Sequence, residues 1–524
     1  MRVTYTVQLI VRLDGYNVRD ERDDRNVRDV VWTRETPQTD ARETTAVATG
    51  CPTMTTATMT AAAVAGRASG RRGALGSRRN ETGKASSGSR TTTTADGCRR
   101  RCRRIERAPA TRCEATGNDV DVVGKVVVLG GTGRVGSATA SAIRRAMGNR
   151  GELTLGGRTR ERASEAKARH AELVDAAFVE VDVLDKQSVM RAIEGADLVV
   201  NTAGPFQRRE SCAALEAAIE LGVKYLDVCD DASYGARAKK LSDKAKASGT
   251  AAITCAGIYP GVSNLMALDI VQSMKADFAA EEGNEGKDPE VEYVLYNYFT
   301  AGSGGVGTTI LATSYLLCGE EVVCWEDGQR VVTKPASQRK VVDFGKGVGR
   351  REVFLYNLPE VASTREVLGA RTVKARFGTS PGVWNGAMVA IANLVPKSLL
   401  ENQDAMKALA EFSAPIVRSV DSIVGETTSI RVEVKLKDGK QAVGLYTHPQ
   451  LSECVGTCTA AFALAMLRGE CAPGVWYPEE KEAISDRKAL FDMAKEGTSL
   501  FLLNQAPWMV ESKPVNLGFG LYWT

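Results

Sequence analysis

Histidine is nearly absent: the 524-residue chain has two, His170 and His448. Imidazole clusters are thereby excluded, and acid–base chemistry must rest mainly on carboxylates. The twelve cysteines include no CxxC pair. Zinc-ligand spacing is missing, no dense disulfide framework is present, and no metal is expected. Long apolar runs are lacking too. The best, Thr459 to Leu467, falls far short of the ~20 residues needed to cross a bilayer, so no membrane span is expected. Acid is scarce in one place, residues 51–112, which hold 14 basic and 3 acidic side chains. Residues 113–524 carry −6 although the whole chain is +4. A mildly acidic body loses the electrostatic attraction that nucleic-acid binding requires.

What is present suffices for a folded protein of two or three domains. Apolar residues make up 43% and charged residues 25%, enough for a core and a solvated surface. Residues 54–120 are the exception. They are rich in Arg, Ser and Thr, lack apolar periodicity, and read as a disordered organellar transit peptide without the apolar block of a secretory signal. The competing reading is a basic arm with Cys98–Arg104 at its centre. Residues 1–53 interleave acids with arginines (DERDDRNVRD) and read as an extension ahead of a true start at Met54 or Met59.

The body opens with a buried strand, Lys125–Leu129. Gly130-Gly131-Thr132-Gly133-Arg134-Val135-Gly136 and a helical run follow at once. Strand, glycine turn and helix in succession form a dinucleotide-binding signature. Gly131 allows the tight turn, Gly133 lets backbone approach a pyrophosphate, and Gly136 permits close helix packing. The helix N-terminus offers its free N–H groups to phosphate. Strands and helices then alternate to Thr254, the pattern of a doubly wound parallel sheet whose ligands lie beyond the strands' carboxyl ends. The second strand ends in Gly-Gly-Arg158 with no carboxylate for a ribose 2′-hydroxyl. A guanidinium there suits a 2′-phosphate, hence NADP, with Arg160 as a second cation. Asp182, after the third strand, is placed at the adenine edge. Asn201, Ala203 and Gly204 close the fourth strand with small residues beside the cofactor. A second glycine run, Gly302–Gly307, mimics the fingerprint, but antiparallel strands joined by turns follow it.

GGTGRVG, NTAGPF, Tyr225-Leu-Asp-Val-Cys-Asp230 and Ala256-Gly-Ile-Tyr-Pro-Gly-Val-Ser-Asn264 occur in this order. Together they resemble the saccharopine dehydrogenase-like oxidoreductases of the saccharopine reductase type. The resemblance runs from about Gly124 to Glu480 and includes the helix Ser452–Gly469 and Pro473–Pro478. It implies an α/β protein: a Rossmann domain over 124–257, an inserted α+β substrate and dimerisation domain over 258–440, a return over 441–480, and a tail over 481–524. With a transit sequence it implies a plant or algal plastid member in the chloroplast stroma, the mitochondrion being second choice. The implied chemistry is NADP-dependent hydride transfer at a carbon–nitrogen bond of an amino-acid-derived small molecule. The alternatives are reduction of an enoyl or lipid-linked group, and NADP binding without turnover. A homodimer is also implied. Substrate carboxylates would need cations, for which Lys374 and Arg376 stand on one face of a strand. Where family members carry Glu after the fifth strand, this chain has Cys229, Asp230 and Asp231. Asp230 and His448 are the catalytic candidates, and His170 lies in a charged surface helix.

Overall fold

The computed structural model describes residues 123–302, 308–512, 515–518 and 521–523. The extension, the transit-like segment, Cys51, Cys98, Cys102, Cys113 and residues 303–307 of the second glycine run lie outside the described residues.

Short β-branched segments form the first sheet: β1 (Lys125–Leu129), β2 (Glu152–Gly157), β3 (Ala177–Glu180), β4 (Leu198–Asn201), β5 (Lys224–Asp227) and β6 (Ala251–Ile253). A seventh strand, β15 (Gly474–Trp476), joins them from far along the chain, and the order is β15-β6-β5-β4-β1-β2-β3, all parallel. Because the central strands are buried on both sides, both faces need cover. Helix Arg134–Met147 covers one face together with helix Leu451–Leu467. Helices Lys186–Ile193, Ala213–Leu221, Ala232–Lys239 and Ser242–Ser248 cover the other. The sequence suggests one helix over Tyr234–Ala247, whereas the structure breaks it at Lys240–Leu241. It also starts the preceding helix at Ala213 rather than Arg208.

The second sheet comprises β7 (Val291–Ala301), β8 (Val322–Glu326), β9 (Gln329–Thr333), β10 (Ser337–Asp343), β11 (Arg350–Leu355), β12 (Thr372–Ser380), β13 (Thr427–Leu436), β14 (Gln441–His448) and β16 (Leu500–Gln505). Its main order is β10-β11-β12-β7-β13-β14-β16. β8 and β9 pair antiparallel about Asp327 and Gly328, both with positive φ, as an Asp-Gly hairpin turn demands. Helix Val262–Ala279 lies under β13, β14 and β16. Its Leu265, Met266 and Ile270 join Tyr296, Ile430 and Val432 and the first sheet's Val126 and Val128 in one continuous apolar core.

Two boundaries differ from the sequence reading. β14 belongs to the second sheet, because all eight of its residues pair with β13. Residues 481–524 are not a plain tail: β16 pairs antiparallel with β14. The apolar run Leu500–Leu503 that forms it is too short to be distinguished from a loop by periodicity.

Candidate functional site

The fingerprint loop stands at the carboxyl edge of β1. Gly130 takes φ +75°, and a Cβ there would lie 2.9 Å from the Ala203 backbone. At Gly136 a Cβ would come within 2.1 Å of the Gly130 carbonyl and 2.6 Å of Thr202 Oγ1. Gly133 differs: it is exposed, and a Cβ would meet only the Gly130 carbonyl, at 3.2 Å. The space above it is open, and no side chain caps the helix that begins at Arg134 and has no acid in its first turn. An uncapped helix N-terminus under an open glycine fits a pyrophosphate. Exposed Arg134 and half-buried Thr132 and Val135 complete the loop.

Exposed Arg158 follows β2 directly, beside Thr132, whose side chain a Cβ on Gly157 would strike at 2.6 Å. Arg160 turns away, its guanidinium 5.4 Å from the Phe178 ring centroid. Arg169 takes its place. It donates to the Thr132 carbonyl at 3.1 Å and to Ser137 Oγ at 3.4 Å. Burial and then the Arg134 charge lower its pKa. Nothing in the sequence pattern marked Arg169, because it reaches the loop from a helix.

Asn201 and Ala203 shape the neighbouring loop. Asn201 is fully buried; its Nδ2 donates to Tyr225 Oη at 3.1 Å and its Oδ1 accepts from Ala203 N at 3.2 Å. Its side chain is thus committed to the protein. Gly204 is exposed, near Thr309 of the helix Thr308–Leu317. Asp230, half-buried beyond β5, accepts at Oδ1 from Gln207 Nε2 at 3.0 Å. Burial raises its pKa to about 6; the Gln207 hydrogen bond opposes this and the Asp231 charge adds to it.

Residues 126–253 match the saccharopine dehydrogenase NADP binding domain. The chain is an NAD(P)-dependent oxidoreductase, and its cofactor is NADP. A search of curated proteins returned no match. Among solved structures, apo histidine-tagged saccharopine dehydrogenase (L-Glu forming) from Saccharomyces cerevisiae is 13% identical, with 73% of this chain and 99% of that chain covered at TM-score 0.49. 2-Keto-3-deoxy-D-gluconate dehydrogenase from Streptococcus agalactiae is 17% identical over 26% of this chain and 68% of that one, at TM-score 0.20. Vestitone reductase from alfalfa is 20% identical over 20% and 35%, at TM-score 0.17.

Of the remaining candidates, Asp182 stands just beyond β3 at the carboxyl edge of the first sheet, and the others lie elsewhere. Exposed Asp182 forms a turn, accepting from Leu184 N at 3.0 Å. Lys374 and Arg376 are a correction: they emerge on the far side of the second sheet. Side chains alternate along a strand, and Val373 and Ala375 already fill the core shared with the nucleotide domain. Lys374 pairs with Glu326 at 2.6 Å, and Arg376 is 7% exposed. His448 ends β14 as a buried side chain. Its Nδ1 accepts from Gln450 N at 3.0 Å, and a Cβ on Gly497 would lie 2.8 Å from its Nε2. Burial lowers its pKa, so it is neutral near pH 7 and closed in. His170 is half-buried rather than a surface residue, with Nδ1 3.9 Å from Glu453.

Glu360 and Glu479 were not singled out from the sequence, although Glu479 directly follows the Pro473–Pro478 segment. Glu360 Oε1 accepts from Tyr298 Oη at 2.8 Å and Glu479 Oε1 from Asn264 Nδ2 at 2.9 Å. The second oxygen of each is buried and unpartnered. Burial raises both pKa values to about 7. The folded protein therefore holds more protons than the unfolded chain between the ordinary carboxylate range and pH 7, and stability falls as pH rises through that window. From 4.5 to about 7, the cost approaches roughly 3 kcal/mol for each group. Thermal unfolding should give a midpoint several degrees higher at pH 5 than at pH 8. The Glu360→Gln/Glu479→Gln pair should flatten that slope; an unchanged slope in the pair would refute the assignment.

Proposed function

We propose that the protein transfers hydride between NADP and a carbon–nitrogen bond of an amino-acid-derived small molecule, with Asp230 exchanging the accompanying proton. The observation that carries this is Asp230 itself. A carboxyl with a pKa of about 6 stands beyond a strand of the NADP-binding domain, where α/β sheets bind their ligands. When bound, the nicotinamide supplies or accepts the hydride. Gly131, Thr132, Gly133, Arg134, Val135 and Gly136 hold the pyrophosphate, and Ala203 and Gly204 give the cofactor room. Asp230 keeps its proton on the acid side of pH 6 and releases it above, so it can protonate a nitrogen during reduction or take its proton during oxidation. The test is NADPH oxidation against mixtures of amines with 2-oxo acids, and against enoyl thioesters. Imine turnover supports the reading. Turnover of enoyl substrates alone, or NADPH binding with no turnover of any of these mixtures, overturns it.

Arg158 and Arg169 form the 2′-phosphate site in this reading. Charge-assisted hydrogen bonds contribute about 1.5–3 kcal/mol each, so NADPH should bind about tenfold to several hundredfold more tightly than NADH. Arg158→Asp should abolish or reverse that preference, and adding Arg169→Ala should complete the loss. An unchanged ratio of dissociation constants in the double variant places the 2′ reader elsewhere.

We also propose that residues 54–120 direct import into the chloroplast stroma and are removed. Mass spectrometry of the native protein should place its N-terminus between roughly residues 100 and 123; retention of Met1 sinks this. Homodimerisation through the second domain accords with exposed Val383, Leu394, Phe412 and Ile416 on its helices. Light scattering would test it.

A further inference from the structure

Asp227 is a fully buried carboxylate at the end of β5, one residue pair from the end of β6, and no step above uses it. Its Oδ1 accepts from Cys229 N at 3.1 Å, Cys255 N at 2.8 Å and Thr254 Oγ1 at 3.1 Å; its Oδ2 lies 3.0 Å from the same hydroxyl. One carboxylate thereby ties the turn after β5 to the turn after β6. The thiols of Cys229 and Cys255 lie close enough to Asp227 to suggest a metal ligand set, but both carboxylate oxygens already have donors, which describes a hydrogen-bonded clamp.

The clamp holds one conformation that the chain rarely adopts unaided and fixes the turn opposite it. Cys255 sits at φ +62°, a left-handed conformation that non-glycine residues rarely adopt, and its N–H makes the shortest of the four contacts. On the other turn, Cys229 Sγ accepts from Asp231 N at 3.3 Å, and Asp231 in turn caps the helix Ala232–Lys239 through Tyr234 N. Asp230 stands between Cys229 and Asp231, so its position follows from theirs. Around it lie Gln207 and Arg209 from the loop after β4, Asp231 on its own turn, and Glu320 and Glu360 from the second domain. None of these hydrogen bonds of Asp227 reaches Asp230. Whatever it does there, it does through the backbone.

We infer that Asp227 is a positioning residue: its hydrogen bonds, not its charge, hold the Cys229–Asp231 turn so that Asp230 faces the reacting atoms half-buried. This rests on the proposed role of Asp230 and deepens it. Asparagine separates the two properties. Its Oδ1 can keep both N–H donors, while its Nδ2 replaces an oxygen beside the Thr254 hydroxyl, with the Tyr225 hydroxyl also facing the carboxyl, and both hydroxyls can rotate and accept. Alanine removes every acceptor. Leucine does the same while keeping the volume filled, whereas Thr254→Val removes one donor, leaves the two N–H contacts, and should behave like asparagine.

The measurement is the titration of the Asp230 carboxyl by 13C NMR, assigned with Asp230→Asn, alongside kcat and NADPH affinity. Asp227→Asn should keep the wild-type midpoint and kcat within about threefold. Asp227→Ala, or Asp227→Leu should the alanine variant fail to fold, should move the midpoint toward the ordinary aspartate range as the turn loosens. It should also lower kcat by about 10–100-fold with NADPH affinity within twofold. Equal damage from Asp227→Asn and the clamp-breaking variants would show that charge matters and overturn the inference, as would a folded clamp-breaking variant with an unmoved midpoint. Wild type that titrates as expected but turns over no imine would sink the proposed function and leave the positioning role intact, since the NMR readout needs no turnover.

Discussion

Asp230→Asn should lower turnover by about 10²–10⁴-fold, the range for removing a positioned general acid or base, with NADPH affinity little changed. Gln207 Nε2 donates to Asp230 Oδ1, and an amide oxygen can accept that bond equally well, so the loop should keep its shape. What disappears is the exchangeable proton. The wild-type carboxyl titrates at about 6 because burial disfavours its charge and Asp231 adds repulsion, against the Gln207 bond. In the reductive direction the protonated form is required, so kcat should fall about tenfold per pH unit above 6. In the oxidative direction the carboxylate is required, and kcat should rise through the same value. Opposite limbs with one midpoint are the signature. A variant that keeps both limbs would show that another group carries the proton.

Gly133→Val should raise the NADPH dissociation constant more than about a hundredfold, comparable to the loss of several hydrogen bonds at 1.4 kcal/mol per decade, while thermal stability changes little. The residue has φ −76° and ψ 174°, an extended conformation that valine adopts readily. Its Cβ would crowd only one carbonyl, at 3.2 Å, a contact that relaxes by a few tenths of an ångström. The branched methyls would then fill the space the pyrophosphate needs. Gly131 and Gly136 make the contrast. Their Cβ atoms would lie 2.7 Å from the Val128 carbonyl and 2.1 Å from the Gly130 carbonyl, so substitutions there should damage the fold as well as binding. Calorimetric titration and a thermal melt on each variant separate the two effects. Normal NADPH binding by Gly133→Val would remove the loop from the site.

The nucleotide-binding half was legible because its signals are local. Lys125–Leu129 and the glycines after it are strand, turn and helix within a dozen residues, and steric need fixes the glycines. The place of Asp230 beyond β5 was legible as well, since topology puts residues after parallel strands at one edge of the sheet. Lys374 and Arg376 show the limit. Alternation placed them correctly on one face of β12, yet which face meets the nucleotide domain depends on Val373 and Ala375 joining the core that also holds helix Val262–Ala279, about a hundred residues earlier. β16 and Glu479 were hidden for the same reason: a short apolar run and a lone carboxyl gain meaning only from distant partners. Arg169 fits no motif spacing, because a long side chain brings it to Thr132.

The first sheet is not finished by the residues that begin it. β15 completes its edge beside β6, and helix Leu451–Leu467 covers helix Arg134–Met147, with Gly456 allowing near backbone contact at Ala138 and Thr139. During synthesis, the nucleotide-binding strands through Ile253 leave the ribosome well before Trp476 exists. At 5–20 residues/s that interval is about 10–45 s. The side of helix Arg134–Met147 that helix Leu451–Leu467 covers in the finished protein stays bare meanwhile. The nascent chain is therefore a client for chaperones over that whole interval, and a ribosome stalled between the two sheets would release a sticky half-domain.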